Sequence, residues 1–239
     1  MEPFQLREET ERPSSAFLLA PWNGRDGLTA GFSARQTGNA ALHVGDDPGA
    51  VVRNREALAE SLGWRFETYT CAEQVHGSEV RVVEASDAGS GRATLDNAIP
   101  GTDALITNEP DVLLAMFFAD CVPLYFYDPR TGAIGLAHAG WKGTVSEIAV
   151  KTVEKMRERF GADPVNMKAA IGPSIGGCCY EVDENVLKRV RPLLDSLSVA
   201  DSHFSPKDIV IPNDKGDRAR LDLKHLNRQL MIKAGILPS

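Results

Sequence analysis

The amino-acid sequence predicts an α+β fold in one domain, and three observations support that class. Apolar runs with strand character concentrate in the middle of the chain, between about residues 68 and 171. Several of them have turn-length connections, which favour antiparallel pairing over the regular strand–helix alternation of a doubly wound sheet. No internal repeat, low-complexity segment or linker divides the 239 residues, a length that suits one large domain.

The N-terminal part of the chain predicts little regular structure before a first helix. Residues 1–15 are polar and are expected to be frayed, although Phe4 and Leu6 can pair onto a sheet edge. The Asp-Asp-Pro sequence at 46–48 opens the helix, because proline is well tolerated in a first helical turn. The residues expected on its apolar stripe are Val51, Val52, Leu58 and Leu62.

Strands are predicted along the middle of the chain and helices mainly after it. The predicted strands are 79–83, 104–107, 112–118, 122–127, 133–137 and 168–171. Thr144 and Glu147 match a capping box, which predicts a helix from there to about Phe160. Two later helices are expected at 183–197 and 221–234.

The bulk composition disfavours several classes of function. With 26 Lys and Arg against 33 Asp and Glu, the formal net charge is −7, which disfavours binding to nucleic acid or to an anionic membrane. No positive run precedes an apolar core at the N-terminus, and the longest apolar stretch, 112–118, is far short of the ~20 residues of a spanning helix. A cytoplasmic protein is expected, whose four cysteines serve as ligands, reactive thiols or buried fillers.

Three residues that are far apart in the sequence form the candidate metal site. His76 and His138 lie in glycine-containing contexts at predicted strand ends, and Cys121 lies where an apolar strand ends. Two imidazoles and one thiolate suit a tetrahedral zinc ion with an open fourth position, the usual arrangement of a catalytic site. The wide spacing leaves open the alternative that each of the three is a structural residue.

The segment after His138 predicts an anion site. Residues 140–144 form a glycine-rich turn that runs into a helix, and a helix N-terminus with a nearby lysine attracts anions. Lys142, Gly143 and Thr144 are therefore candidates for substrate binding, and Lys142 is also a catalytic candidate. The alternative is a plain strand-to-helix loop with a surface lysine.

Other polar residues are candidates for the same neighbourhood. Asp103 and Asp120 flank predicted strands, and either can orient a ligand histidine or act as acid or base, with turn capping as the alternative. Asp120 is a catalytic candidate, and Asp103 is a candidate for substrate binding. Cys178 is a catalytic candidate or a small core residue, and its adjacency to Cys179 disfavours a disulfide between them. His43 is a candidate for substrate binding.

Six short stretches together resemble the YfiH/YlmD family, also described as laccase-domain or multicopper polyphenol oxidoreductase proteins. They occur in the family order and extend over about residues 30 to 185. The stretches are 43–48 (HVGDDP), 74–77 (QVHG), 102–107 (TDALIT), 119–123 (ADCVP), 138–144 (HAGWKGT) and 171–176 (IGPSIG). Each is weak alone, and the specificity comes from the number and order of the matches.

The resemblance implies a β-sandwich-like core flanked by helices, in a single domain over residues 1–239. It also implies that His76, Cys121 and His138 are the metal ligands of an enzyme that acts on a purine nucleoside and phosphate. The implied activities are phosphorolysis of adenosine, inosine and methylthioadenosine, with adenosine deamination. A multicopper cluster needs many more histidines than the five present, so zinc is expected, with copper as an in vitro substitute, and laccase chemistry is not expected.

Two rival hypotheses stay open at this point. Cys121 paired with His138 or His76 would give the thiol–imidazole pair of a cysteine-nucleophile hydrolase. A non-enzymatic, zinc-stabilised binding protein is the second rival, and it rests on the expected absence here of the usual C-terminal segment of the family. The preferred nucleoside and the oligomeric state do not follow from the sequence.

Overall fold

The computed structural model describes residues 4–7, 16–22, 24, 27–200, 205–213 and 218–238. The chain forms two compact units, and each is assembled from three stretches of sequence. The first unit comprises Met1–Glu73, Val83–Pro100 and Glu109–Phe117, and the second comprises Gln74–Val82, Gly101–Asn108 and Phe118–Ser239. The expected count of one domain stays a prediction.

The regular elements alternate between short strands and helices of varied length. The strands are β1 (Phe4–Arg7), β2 (Ala16–Leu19), β3 (Gly31–Ser33), β4 (Tyr69–Cys71), β5 (Val80–Val82), β6 (Ala104–Thr107), β7 (Leu113–Ala115), β8 (Val122–Tyr127), β9 (Ile134–Ala139), β10 (Lys168–Ile171), β11 (Glu181–Asp183), β12 (Val210–Pro212) and β13 (Arg218–Leu221). The α-helices are α1 (Pro48–Ser61), α2 (Trp141–Val145), α3 (Ile148–Phe160), α4 (Glu184–Ala200) and α5 (Leu223–Lys233).

The first unit contains two small sheets and α1. β1, β2 and β3 form an antiparallel meander, and β4 pairs in parallel with β7. The pairing expected of Phe4 and Leu6 is confirmed, because these residues lie opposite Leu19 and Phe17. The prediction that residues 1–15 are frayed falls mostly outside the described residues.

Helix α1 begins as the sequence predicts, but it buries an unexpected residue. Asp47 caps it by accepting a hydrogen bond from the backbone N–H of Ala50 at 2.9 Å, and Pro48 occupies the first turn. The buried face of the helix includes Val51, Arg55 and Ala59, which are spaced four residues apart. An arginine therefore occupies a position at the centre of the face where only apolar side chains were expected.

Arg55 is fully buried and is bound by backbone oxygens and aromatic rings. Its Nε donates to the carbonyl oxygen of Ala40 at 2.6 Å, and its Nη1 donates to those of Gly91 and Arg92, both at 2.8 Å. The guanidinium carbon lies 4.4 Å from the ring centroid of Phe117. A buried cation needs such partners, since burial without them would be very costly.

The second unit is built on a five-stranded mixed sheet with the order β10-β8-β9-β6-β5. The β5–β6 pair is parallel and the other three pairs are antiparallel. Every residue of β8 is buried, which explains its continuous apolar sequence. Helix α3 packs against β9, β6 and β5, and this packing places the main apolar core between α3 and the sheet.

A second, antiparallel sheet with the order β11-β13-β12 belongs to the same unit, together with α4 and α5. Asp222 caps α5 by accepting a hydrogen bond from the backbone N–H of His225 at 2.9 Å. Helix α5 packs against α3 and α2. The two helices predicted near residues 183–197 and 221–234 correspond to α4 and α5.

The capping box expected at Thr144 and Glu147 is wrong. A five-residue helix, α2, already begins at Trp141, and Thr144 lies inside it with its side chain fully buried. Glu147 has a left-handed backbone conformation, with φ of 57°, and separates α2 from α3. Its carboxylate pairs with Lys233 of α5, so the bend between the two helices is stabilised by a side chain remote in sequence.

The mixed sheets and their helices confirm the predicted α+β class. The predicted strands 104–107, 122–127 and 168–171 coincide with β6, β8 and β10, whereas the strand predicted at 112–118 is limited to β7, Leu113–Ala115. Among the described residues, no helix is both long and apolar enough to cross a membrane.

Candidate metal centre

Three side chains predicted as metal ligands converge in the second unit. His76 lies in the loop before β5, Cys121 directly precedes β8, and His138 is on β9. One potential ligand atom from each lies within 4.8 Å of the others. His76 is exposed, Cys121 is partly exposed and His138 is buried, so the group opens toward solvent on one side.

Asp103 connects two of the three segments. Its carboxylate is fully buried and accepts hydrogen bonds from the backbone N–H groups of Val75, His76 and Gly77 at 3.2, 3.0 and 2.6 Å. The same carboxylate lies 2.9 Å from Nδ1 of His138. One side chain therefore fixes the His76 loop and the orientation of the His138 ring.

The backbone of His76 shows why this loop needs support. His76 has φ of 58°, in the left-handed region that residues other than glycine rarely adopt. The two flanking N–H groups and its own all donate to Asp103, which offsets the conformational preference against this geometry. The ring of His76 then meets that of His138 edge-on, with 4.8 Å between ring centroids.

The hydrogen bond to Asp103 also orients the His138 ring for binding an ion through Nε2. When Nδ1 donates to a carboxylate, the Nε2 lone pair is the one available to a metal, as in many zinc sites. Burial acts most strongly and lowers the pKa of His138, but hydrogen bonds with Asp103 and Cys121 raise it to about 9. For Asp103 burial would raise the pKa, and hydrogen bonds from His138, Gly77 and Val75 hold it below its usual value.

Two glycines let the segments approach this closely. A Cβ atom at Gly140 would lie 2.9 Å from the Cys121 sulfur and 3.3 Å from a ring carbon of His76. A Cβ atom at Gly143 would lie 2.8 Å from the carbonyl oxygen of Gly77. Side chains at these two positions would push α2 away from the ligand-bearing loops.

Two residues of α2 that were predicted as substrate contacts lie in closely packed surroundings. Gly143 is buried, and its role is the close packing of α2 on the His76 loop. Thr144 is fully buried, and its hydroxyl accepts a hydrogen bond from the Asn227 amide of α5 at 2.9 Å. The roles expected of Gly143 and Thr144 in substrate binding stay predictions.

The hydrogen bonds of Asp103 give it a positioning role, and its predicted substrate contact stays a prediction. Its side chain has no exposed surface, and four hydrogen-bonding partners occupy its two oxygens. Of the roles expected for this aspartate, the orientation of a ligand histidine is the one that the geometry supports. Sequence spacing alone gave no indication that it would also hold the His76 loop.

The remaining predicted residues have different environments. Asp120 and Lys142 are both exposed, Asp120 beside Cys121 and Lys142 with its ammonium nitrogen 5.9 Å from the Trp141 ring centroid. Cys178 is exposed, with its sulfur 2.8 Å from that of Cys179. The catalytic roles expected of Asp120, Lys142 and Cys178 stay predictions.

His43 belongs to the first unit, on a short 3-10 helix over Leu42–Val44. It is exposed, and its ring lies edge-on to that of Phe117 with 6.4 Å between centroids. Its role in substrate binding stays a prediction.

Sequence reasoning missed Tyr180 as a residue of this neighbourhood. Burial raises the pKa of Tyr180, and the nearby groups Cys121 and Asp120 raise it further, which places the phenol close to both. Tyr180 directly follows the Cys178–Cys179 pair, in a segment that was expected to lie beside the pocket. The two adjacent cysteines indicate thiol chemistry in this segment, and no sequence pattern indicates a role for the phenol that follows them.

The donor set fits zinc. Two imidazoles and a thiol within 4.8 Å of one another provide the three protein ligands of a typical open zinc site, and the carboxylate behind His138 completes a common support. In the part of the chain that the structure describes, this is the one group of three or more His, Cys, Asp or Glu side chains close enough to hold an ion. A cluster of several copper ions requires more donors than this group provides.

Comparison with known proteins places these features in a family. The model of the family described as "Multi-copper polyphenol oxidoreductase laccase" matches residues 25–239. The chain belongs to the YfiH/YlmD family. It is 42% identical over 222 residues to the Purine nucleoside phosphorylase YlmD of Geobacillus stearothermophilus, an alignment that covers 88% of this chain and 77% of that protein. It is 33% identical over 210 residues to the Adenosine deaminase RL5 of an unknown prokaryotic organism, which covers 88% and 76%.

Solved structures of the family have the same fold. The crystal structure of the Bacillus licheniformis hypothetical protein YfiH superposes with a TM-score of 0.86 at 36% identity, covering 99% of this chain and 86% of that one. YlmD from Geobacillus stearothermophilus superposes with a TM-score of 0.84 at 37% identity, covering 98% and 86%. The family and the fold class expected from the six sequence stretches are both confirmed.

Proposed function

We propose that this chain is a zinc-dependent purine nucleoside enzyme. Its reactions would be the phosphorolysis of adenosine, inosine and methylthioadenosine, and the deamination of adenosine. The observation that carries the proposal is the convergence of His76, Cys121 and His138, supported from behind by Asp103. The names of the related proteins, purine nucleoside phosphorylase and adenosine deaminase, support the choice of substrate.

The residues of the chain divide the work of the proposed site. His76, Cys121 and His138 would hold the ion, and Asp103 would keep the proton of His138 on Nδ1 so that Nε2 faces the ion. When bound, zinc supplies Lewis acidity that activates water or polarises a substrate oxygen. This chemistry requires a free coordination position on the ion. Three protein ligands leave the fourth position of a tetrahedral zinc ion free for water or substrate.

Two exposed charged side chains, Lys142 and Asp120, would act on the substrate. Lys142 would bind phosphate through its ammonium group. It lies within one helical turn of Gly140, and Gly140 packs against the proposed ligands Cys121 and His76. Asp120, beside Cys121, would exchange the proton that the departing base or ammonia requires. In phosphorolysis phosphate replaces the base on the ribose, and in deamination water replaces the amino group of adenosine.

Metal content and turnover in two cysteine variants test the proposal. Cys121→Ala removes a proposed ligand, and Cys71→Ala removes a buried thiol of the first unit as a matched control. We expect the wild type and Cys71→Ala to hold one zinc per chain and to cleave adenosine only when phosphate is present. Cys121→Ala should lose the zinc and, with it, at least about 100-fold in kcat/KM, because ligand loss removes the Lewis acid. Full turnover after verified zinc removal would refute the metal mechanism.

A cysteine-nucleophile hydrolase is the second candidate, because the sulfur of Cys121 and a ring nitrogen of His138 lie within 4.8 Å of each other. Such a pair activates a thiol in the absence of metal. Alkylation with iodoacetamide separates the two candidates. The zinc enzyme should be protected while the ion is bound and inactive when it is removed. A metal-free protein that is fully active and is inactivated by alkylation at Cys121 would support the nucleophile instead.

A further inference from the structure

The exposed thiols of Cys178 and Cys179 are in direct contact and have no part in the proposed metal centre. Their sulfurs lie 2.8 Å apart, and both residues are exposed. The other two cysteines have different environments, since Cys71 is buried in the first unit and Cys121 belongs to the proposed ligand group. Two solvent-accessible thiols at this distance can react as a unit.

The backbone that carries the two thiols is held firmly. The carbonyl oxygen of Gly176 accepts hydrogen bonds from the N–H groups of Cys179 and Tyr180, at 3.0 and 3.1 Å. Gly177 packs so closely on Asp222, the cap of α5, that a Cβ atom would lie 2.7 Å from the Asp222 side chain. Because this turn is anchored on both sides, the contact between the sulfurs does not depend on a freely moving loop.

The covalent geometry of neighbouring residues decides which chemistry the pair can perform. Consecutive Cα atoms are about 3.8 Å apart, whereas disulfide-linked Cα atoms are usually about 4.4–6.8 Å apart. A disulfide between Cys178 and Cys179 would therefore be strained. Strained and exposed disulfides are the readily reduced ones, so this pair is unsuited to a permanent cross-link and suited to a reversible one.

The charges near the pair also matter for thiol exchange, in which the thiolate is the attacking species. The hydrogen bond with Cys178 raises the pKa of Cys179, and the positive charge of Arg220 on β13 opposes that rise. The raised pKa favours the thiol form of Cys179, so the exchange depends on the contact between the two sulfurs and on their exposure.

We propose that Cys178 and Cys179 form a reversible dithiol–disulfide couple that exchanges with small-molecule disulfides. One thiolate attacks a sulfur of the small disulfide, which forms a mixed disulfide and releases one small thiol. The neighbouring thiol then attacks the protein sulfur of the mixed disulfide and releases the second small thiol. The protein loses two protons and two electrons, and the small disulfide gains them to become two thiols.

The test is the reaction of the reduced, zinc-loaded protein with glutathione disulfide, followed by intact mass and peptide mapping. The wild type should lose two hydrogen atoms, keep no glutathione, and yield a linked Cys178–Cys179 peptide that reduced glutathione reopens. Cys179→Ser should instead keep one glutathione on Cys178, because the second thiol is missing. Cys71→Ala should behave as the wild type does.

Three outcomes would overturn the proposal. The first is a wild type that keeps a stable glutathione adduct, because the second thiol would then fail to resolve it. The second is a protein that does not react while Cys179→Ser does. The third is oxidation that maps to Cys121. The readout is covalent and independent of turnover, so it stands or falls separately from the proposed nucleoside chemistry.

Discussion

Asp103 and Arg55 are both fully buried charged side chains, and the protein accommodates them in opposite ways. Arg55 directs its donors to three backbone carbonyl oxygens and packs against an aromatic ring, so its interactions end within the first unit. Asp103 accepts from three backbone N–H groups and from the ring of His138. The imidazole of His138 has a second nitrogen. Because Nδ1 is hydrogen bonded to Asp103, Nε2 is the nitrogen that can bind an ion. Arg55 therefore stabilises the first unit, whereas Asp103 positions the proposed metal ligands His76 and His138.

The largest effect is expected when the structural charge is removed. Arg55→Met should lower the free energy of unfolding by roughly 3–5 kcal/mol, because one buried and two partly buried carbonyl oxygens lose their donor. The measurement is urea denaturation, with the zinc content of the folded fraction unchanged. Arg53→Met is the matched control on the same helix, and since Arg53 is largely exposed its effect should stay within about 0.5 kcal/mol. Equal losses for the two variants would show that Arg55 is not a support.

Removal of the second charge should act mainly on the metal. Asp103→Asn keeps the shape but offers one acceptor oxygen where two serve four donors, so the zinc affinity should fall about 10- to 100-fold. Competition with a chromophoric chelator measures it. Asp120→Asn removes a charge next to Cys121 without touching His138, and its affinity should fall less. If the two variants lose equally, the effect is one of charge alone and the orienting role is wrong.

The smallest effect is expected on α2, where Thr144, a predicted substrate contact, is buried and hydrogen bonded to Asn227 of α5. Thr144→Val should lower the free energy of unfolding by about 1 kcal/mol, because Asn227 loses an acceptor, and should leave the KM for phosphate unchanged. Lys142→Met should do the reverse and raise that KM with little change in stability. Steady-state kinetics at varied phosphate separates the two. A raised KM in Thr144→Val would return this residue to the substrate site.

The parts of the fold that were predicted correctly are those that local sequence determines. The continuous apolar run of β8 and the Asp-Pro start of α1 each depend on residues within a few positions. The capping box at Thr144 failed because the threonine bonds to Asn227, 83 positions away, which no local pattern reveals. The burial of Arg55 was not predicted for the same reason, since its partners are carbonyl oxygens on loops distant in sequence.

The site shows the same division. The residue types of His76, Cys121 and His138 suggested an ion, but only the family resemblance placed them together before the structure did. What sequence could not supply was the support behind them. The hydrogen bonds of Asp103 and the approach of Tyr180 depend on tertiary packing, and both residues belong to elements whose sequences predict only a strand end or a turn.

Gly140 has a consequence for reading other sequences of this fold. Its missing side chain is the space that the thiol of Cys121 and the ring of His76 occupy. A relative that keeps the histidines and the cysteine but carries a larger residue at the equivalent of Gly140 would still match the ligand pattern, but the added side chain would crowd two of the proposed ligands. Such a chain should be found without metal when purified, so this glycine can sort metal-free members of the family from metal-bound ones before any protein is made.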